Sequence, residues 1–254
     1  MVALKLQAYQ GDVAVGQASV ANCTGAGQSC TSNITGLSGN STYSIQITAT
    51  DNLNYKAIGY SPGFKTLLMP LTAPSNTTVT SLSGGTSATI NWTGSTDLNA
   101  GAVVSYQVNV NAGQISAPSC DVNNQCTAAV TGLTQASQYS VQVTALDNFG
   151  QKMQGKVTEF WTLGLTAPTN GIATFNPGPN TVTLTWDASQ FISSSSGSQE
   201  LVAATYTILG SGLPPAKITC SQASCTVFMP AVASYSITAS YQNYASGALA
   251  INLN

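Results

Sequence analysis

Six cysteines fall in three close pairs, Cys23 with Cys30, Cys120 with Cys126 and Cys220 with Cys225, and oxidation to disulfides is the chemistry their spacing suits. With 6, 5 and 4 residues between partners, each pair can occupy the two arms of a hairpin, where opposed side chains approach closely enough to bridge. Closing so short a loop stabilises by about 2 to 2.5 kcal/mol on chain-entropy grounds. Zinc is a poor alternative, because two thiolates per pair with no histidine in the chain leave a tetrahedral site incomplete. Three pairs of reduced, buried thiols are the other alternative. Bridged cysteines place the protein in an oxidising compartment, extracellular or at the cell surface. Met1-Val-Ala-Leu-Lys5 opens directly into strand-like alternation, so an export signal is expected to have been removed or to lie outside this sequence.

The remaining inventory argues against catalysis. The chain has six lysines, no arginine and no histidine, so Ser-His-Asp and Cys-His arrangements are impossible. Its acids, Asp12, Asp51, Asp97, Asp121, Asp147, Asp187, Glu159 and Glu200, are scattered along the whole length. A glycosidase needs two carboxylates about 5 to 10 Å apart in one cleft, and no segment offers a convincing pair. No enzyme activity and no cofactor are expected. Asp51-Asn52 and Asp147-Asn148 recur at matching places, a pattern open to calcium binding or to turn capping. Capping is the better fit, since no further acids gather there, and no metal is expected.

With 6% charged residues and a net charge of -2, the chain lacks the cation clusters that nucleic acids or anionic membranes require. Its apolar residues, 43% of the total, come in short alternating runs, far from the roughly 20 continuous residues of a membrane-spanning helix. Membrane insertion is not expected. Five Asn-x-Ser/Thr sequons, at Asn22, Asn33, Asn40, Asn76 and Asn91, are about as many as chance placement gives. Asn33, Asn40, Asn76 and Asn91 are the candidate glycosylation sites. Asn33 and Asn91 alternate with Ile34, Ile90 and Trp92 and should face solvent. Phe191 and Ile192, heading the run Ser193 to Ser196, form a candidate contact loop unless they fold onto their own domain.

The elements that must position these residues are repeated. A tyrosine recurs at 43, 139 and 235, and around it the same text returns: Cys30 to Leu37 then Tyr43-Ser-Ile-Gln-Ile-Thr-Ala49, and Cys126 to Leu133 then Tyr139-Ser-Val-Gln-Val-Thr-Ala145. The third copy is looser, with Met229-Pro230 in place of Gly-Leu and three residues fewer between Cys225 and Tyr235. A 96-residue period suits a whole sandwich rather than a solenoid unit. Apolar residues alternate at Ala88, Ile90 and Trp92, at Val104, Tyr106, Val108 and Val110, and at Val141, Val143 and Ala145. That is the period of strands, and no helical stripe competes. The fold class is all-β. In the middle repeat the pattern predicts strands A at 76–82, B at 87–93, C at 103–111, C′ at 115–120, E at 126–131, F at 138–146 and G at 156–163.

Trp92 in strand B, the Gly132-Leu133 turn, the tyrosine corner at Tyr139 and the run Val141 to Gly150 resemble a fibronectin type III domain. The Cys-Thr-x-x-Val-Thr-Gly-Leu text is similar to the type III repeats of bacterial surface and secreted proteins. That resemblance implies tandem seven-stranded immunoglobulin-like sandwiches used for spacing, adhesion or assembly. It brings no catalytic residues. Leu71-Thr-Ala-Pro74 and Leu165-Thr-Ala-Pro168 mark the junctions, giving domains 1–70, 71–164 and 165–254, joined by linkers too short to coil freely. The array should be a semi-rigid rod.

Counting back from Leu71 by one period, the first domain lacks strands A and B, which are expected from upstream sequence or from another molecule. An open sandwich of this kind invites strand addition. The expected function is a structural and assembly segment of an exported surface or filament protein, with self-association or adhesion. Its expected partners are other copies, neighbouring domains, a glycan or a surface ligand. The alternative is the noncatalytic spacer of a secreted polysaccharide-degrading enzyme.

Overall fold

The computed structural model describes residues 3–24 and 29–253, and its regular elements are all β-strands. No helix among the described residues is long and apolar enough to cross a membrane. The chain divides into two compact units: Met1–Thr72 with Ser95–Ser105 and Leu146–Met153, and Ala73–Gly94 with Tyr106–Ala145 and Gln154–Asn254.

In the first unit the strands are β1 (Ala3–Gln10), β2 (Val13–Val20), β3 (Asn22–Thr24), β4 (Ser29–Thr31), β5 (Thr42–Thr50), β6 (Lys56–Tyr60) and β7 (Phe64–Lys65). They form one antiparallel sheet in the order β2-β1-β5-β6, with β7 also on β5, and a separate β3-β4 hairpin. The register pairs Leu4 with Ala49, Leu6 with Ile47 and Ala8 with Ile45. Because side chains alternate along a strand, these six share one face of the sheet. That face would be a core, yet Ile47 is 38% exposed and Ile34 is half-buried. Strand E, expected to run on past residue 31, shortens to β4, and residues 32–38 pair with no strand. In the complete sandwiches this segment is laddered along strand B. Among the described residues no strand takes the place of B beside this segment, and its Thr35 carbonyl instead accepts from the Gln17 amide of β2 at 2.9 Å.

The middle sandwich contains β8 (Ser75–Ser81), β9 (Ser87–Thr93), β10 (Val104–Val110), β11 (Gln114–Ile115), β12 (Ser119–Cys120), β13 (Gln125–Thr131), β14 (Gln138–Asp147), β15 (Lys152–Gln154) and β16 (Thr158–Trp161). One sheet runs β8-β9-β13 with β11 and β12 on β13, and the other runs β10-β14-β15 with β16 on β14. Between them Ile90, Trp92, Val130, Val141, Val143 and Phe160 are buried, and the Trp92 ring meets Tyr106 edge-on at 5.6 Å. Two strands are less regular than their patterns suggest. C′ splits into β11 and β12, and G shortens to β16, with β15 a separate strand ahead of it across Gly155. A Cβ at Gly155 would stand 2.9 Å from the Pro74 carbonyl oxygen.

The third sandwich, in the second unit, adds β17 (Gly164–Leu165), β18 (Thr169–Asn176), β19 (Thr181–Asp187), β20 (Gln190–Ile192), β21 (Gln199–Leu201), β22 (Ala204–Gly210), β23 (Ala216–Cys220), β24 (Ser224–Pro230), β25 (Ser234–Tyr241), β26 (Tyr244–Ala245) and β27 (Leu249–Asn252). Its facing sheets are β18-β19-β24 and β23-β22-β25, the latter flanked by β26 and β27. Trp186 repeats the edge-on contact, here with Tyr206 at 5.3 Å.

The tyrosine corners survive in all three repeats. Tyr43 Oη accepts from the Ser38 amide at 3.0 Å and Tyr139 Oη from the Thr134 amide at 2.9 Å, five residues upstream in both cases. With three residues missing, Tyr235 Oη instead accepts from the Val232 amide at 3.1 Å and donates to the Pro230 carbonyl at 2.6 Å. The shortened loop is tied down from both of its ends.

Candidate functional site

Each cysteine pair is a disulfide, and no free thiol remains among the described residues to act as a nucleophile. Cys23 and Cys30, and likewise Cys120 and Cys126, are direct cross-strand partners, with Cα atoms 4.1 and 3.9 Å apart. Cys220 and Cys225 stand 6.0 Å apart and join β23 to β24. In both complete sandwiches the second cysteine lies opposite the core tryptophan, Cys126 beside Trp92 and Cys225 beside Trp186, and each is only 2% exposed. In the first sandwich Cys23 and Cys30 are both exposed, and among the described residues no tryptophan strand lies beside them. Three disulfides point to an extracellular or secreted setting.

The recurrent aspartates are occupied by their own turns. Asp51 Oδ1 accepts from the Leu53 and Tyr55 amides at 2.8 and 2.9 Å, Asp121 Oδ1 from Asn123 and Gln125 at 2.9 and 2.8 Å, and Asp147 Oδ1 from Phe149 and Gln151 at 3.0 and 2.6 Å. Burial pushes the Asp147 carboxyl up, but hydrogen bonds from the Gln151 backbone and side chain and from the Phe149 amide outweigh it and hold the group below its ordinary value. No group of three or more candidate ligands for a metal exists among the described residues.

Of the candidate glycosylation sites, Asn33 and Asn91 are exposed, as the alternation predicts. Asn76 is exposed, but its Nδ2, the atom that would carry a glycan, donates to Thr93 Oγ1 at 3.2 Å. Asn40 is half-buried. Phe191 packs against Tyr241 and Tyr244, with ring centres 5.5 and 5.0 Å away, and Ile192 is fully buried. Phe191 and the two tyrosine rings thus pack on their own sandwich, and Ile192 pairs with Gly164 of the linker. The serines beyond them reach further: Trp161 donates its amide to the Ser195 carbonyl at 2.9 Å.

Sequence reasoning missed the polar contacts that organise the first unit. Asn99, 5% exposed, receives the Met69 amide on Oδ1 at 2.7 Å and donates from Nδ2 to the Met69 carbonyl at 2.9 Å. Gln151 donates to the same carbonyl at 3.0 Å and accepts from the Leu71 amide at 3.1 Å. Nothing in the local text marks an asparagine or glutamine for burial. The one available signal is that each lies within four residues of an aspartate, Asp97 or Asp147.

Residues 72–161 match the fibronectin type III domain family. No curated protein sequence matches the chain. Among solved structures it is similar to the chicken CNTN1 FN1-FN3 domains, a crystal structure, at 13% identity over 99% of this chain and 90% of that one, with a TM-score of 0.34. The fold is all-β and consistent with tandem sandwiches, and the fibronectin type III match falls on the middle one. Type III domains serve generally as structural, adhesion or spacer modules, are typically noncatalytic, and commonly mediate contacts with other domains or proteins.

Proposed function

We propose that this chain is a structural and assembly segment of an exported surface or filament protein, that it performs no catalysis, and that it self-associates through its first domain. We place the domain boundaries before Leu71 and Leu165. Semi-rigidity is favoured by the second linker, where Gly164–Leu165 is itself a strand paired with Phe191 and Ile192.

The observation that supports the self-association is the incomplete cover on the inner face of the first sheet, where Ala8 and Tyr43 are buried but Ile47 is not. Ile47 is 38% exposed there, whereas Val143 at the matching position of the middle repeat is fully buried. Leaving Ile47 partly in water forgoes hydrophobic stabilisation, which a neighbouring copy would restore by covering it.

Sedimentation velocity over a range of concentrations tests the reading. The unaltered chain is expected to self-associate, and Ile47→Glu, which places a charge on the face, is expected to shift it toward monomer. A monomer for both proteins throughout the range would refute it.

A further inference from the structure

The segment between β19 and β22 of the third sandwich is too structured for a bare connection. Its arms, β20 and β21, pair with each other, and β20 also pairs with the linker strand β17. At the tip, the Gly197 amide donates to the Ser194 carbonyl and the Ser193 amide to the Ser198 carbonyl, both at 3.0 Å. Phe191, against Tyr241 and Tyr244, anchors one end of this hairpin on its own domain.

The other end grips the middle sandwich. The Ser195 carbonyl accepts from the Trp161 amide at 2.9 Å, and Ser195 Oγ accepts from the Ser81 amide at 2.8 Å. Ser81 Oγ in turn donates to the Trp161 carbonyl. Gly197 lies directly over the Trp161 ring, since a Cβ there would come within 2.5 Å of Cδ1 and 2.7 Å of Nε1. Its φ of +83° independently favours glycine. Beside it Tyr244 Oη accepts from the Gly84 amide at 3.2 Å.

We infer that residues 190–201 are an interdomain latch keyed to Trp161, with Ser195 and Gly197 as the positioning residues that set the third sandwich on the middle one. Trp161 fits this role. It is half-buried, ends the last strand of its domain and lies outside that domain's core cluster, so its indole is available to a neighbour. The device has a counterpart in the first unit. There the equivalent segment, Ser95–Ser105, is engaged through the Gly39 amide to the Leu98 carbonyl and the Ala100 amide to the Gly39 carbonyl, both at 3.1 Å, and through Asn99 on Met69. Both loops seize the turn before strand F or the exit of strand G.

The latch is tested on the full chain by digestion with a broad-specificity protease, following cleavage between residues 161 and 168. Gly197→Leu, which drives a side chain into the indole, and Trp161→Ala are each expected to speed that cleavage at least tenfold. The double variant should be no faster than either single one, because both changes open the same contact. Unchanged cleavage in the single variants, or multiplicative acceleration in the double, would overturn the inference. If Gly197→Leu does not fold, Ser195→Ala keeps the backbone and deletes only the hydroxyl acceptor. Hydrogen exchange at the Ser81 amide should then quicken by an order of magnitude, and unaltered exchange would count equally against the latch. A chain that self-associates or stays monomeric leaves these readouts intact, so the latch and the assembly reading fail separately.

Discussion

Tyr43-Ser-Ile-Gln-Ile-Thr-Ala49 and Tyr139-Ser-Val-Gln-Val-Thr-Ala145 are nearly the same text, and both form the central strand of a sheet with a tyrosine corner at its start. Their second and third inward side chains nevertheless meet different surroundings. Val141 and Val143 are at most 1% exposed, whereas Ile47 is 38% exposed. Strand formation is thus a property of local alternation and sheet neighbours, while burial depends on what faces the sheet, which covers Val143 fully and Ile47 only in part. The disulfide follows the same rule in one of its halves: Cys23 and Cys30 are both exposed in the first repeat, whereas in the middle one Cys126 is tucked beside Trp92 and Cys120 is exposed.

The sharpest way to break this contrast is to truncate each core. Trp92→Ala should destabilise the middle sandwich by about 3 to 5 kcal/mol, because it empties the largest site of a closed core. Ile47→Ala should cost roughly 1 kcal/mol or less, since the side chain is only partly removed from water to begin with. Denaturant unfolding with separately resolved transitions gives both values. Equal losses would mean that the first sandwich is as closed as the middle one.

Next in size are the bridges. Replacing Cys120 and Cys126 with serine should cost about 2 to 2.5 kcal/mol through loop entropy alone, with lost packing against Trp92 added. Accessibility separates the two repeats as well, because a thiol reductant must reach sulfur and both cysteines of the first bridge are exposed but only Cys120 of the middle one. Under limiting reductant, Cys23 and Cys30 should be alkylated before Cys120 and Cys126, as read by mass spectrometry. The reverse order would contradict the exposure of the first hairpin.

Where the two repeats agree, they should respond alike. Tyr43→Phe and Tyr139→Phe each delete a hydroxyl that accepts one backbone amide, a loss of about 0.5 to 1.5 kcal/mol. A corner that mattered only in the closed sandwich would show that the turn needs the second sheet, which the matching 3.0 and 2.9 Å hydrogen bonds argue against.

Much of this was legible in the residues. Period-two alternation places strands A, B, C, E and F of the middle repeat to within a residue, but not the interrupted C′ and G. The shortening of strand E was not legible from Cys30 to Leu37, because that text is the same whether or not a strand B lies beside it. Nor was the reach of Ser193 to Ser198 onto Trp161. A serine run carries no apolar signal, and its hold on Trp161 consists of backbone and hydroxyl hydrogen bonds and a glycine's close approach, which depend on the path of the chain. Asn99 and Gln151 escaped notice for the same reason: amide side chains are usually solvated, and only a neighbour's backbone makes their burial favourable.

The smallest expected effect concerns the aspartate turns. Asp51 and Asp147 cap equivalent turns, but Asp147 also receives the Gln151 side chain at 2.8 Å, and its carboxyl is held below the ordinary 3.8. A carboxyl whose folded value is depressed binds its proton more readily in the unfolded chain. It therefore contributes stability above the unfolded value that is lost only as pH falls through the lower folded value. The Asp147 turn should accordingly keep its hydrogen bonds at pH 4 and give them up in more acidic solution. Asp147→Asn should flatten this part of the acid dependence while leaving stability at neutral pH little altered, because the amide oxygen can still accept from the turn. The measurement is amide exchange at Phe149 and Gln151 as a function of pH, after correction for intrinsic rates. Loss of protection that begins well above pH 4, or an unchanged acid profile in Asp147→Asn, would show that another group controls the turn.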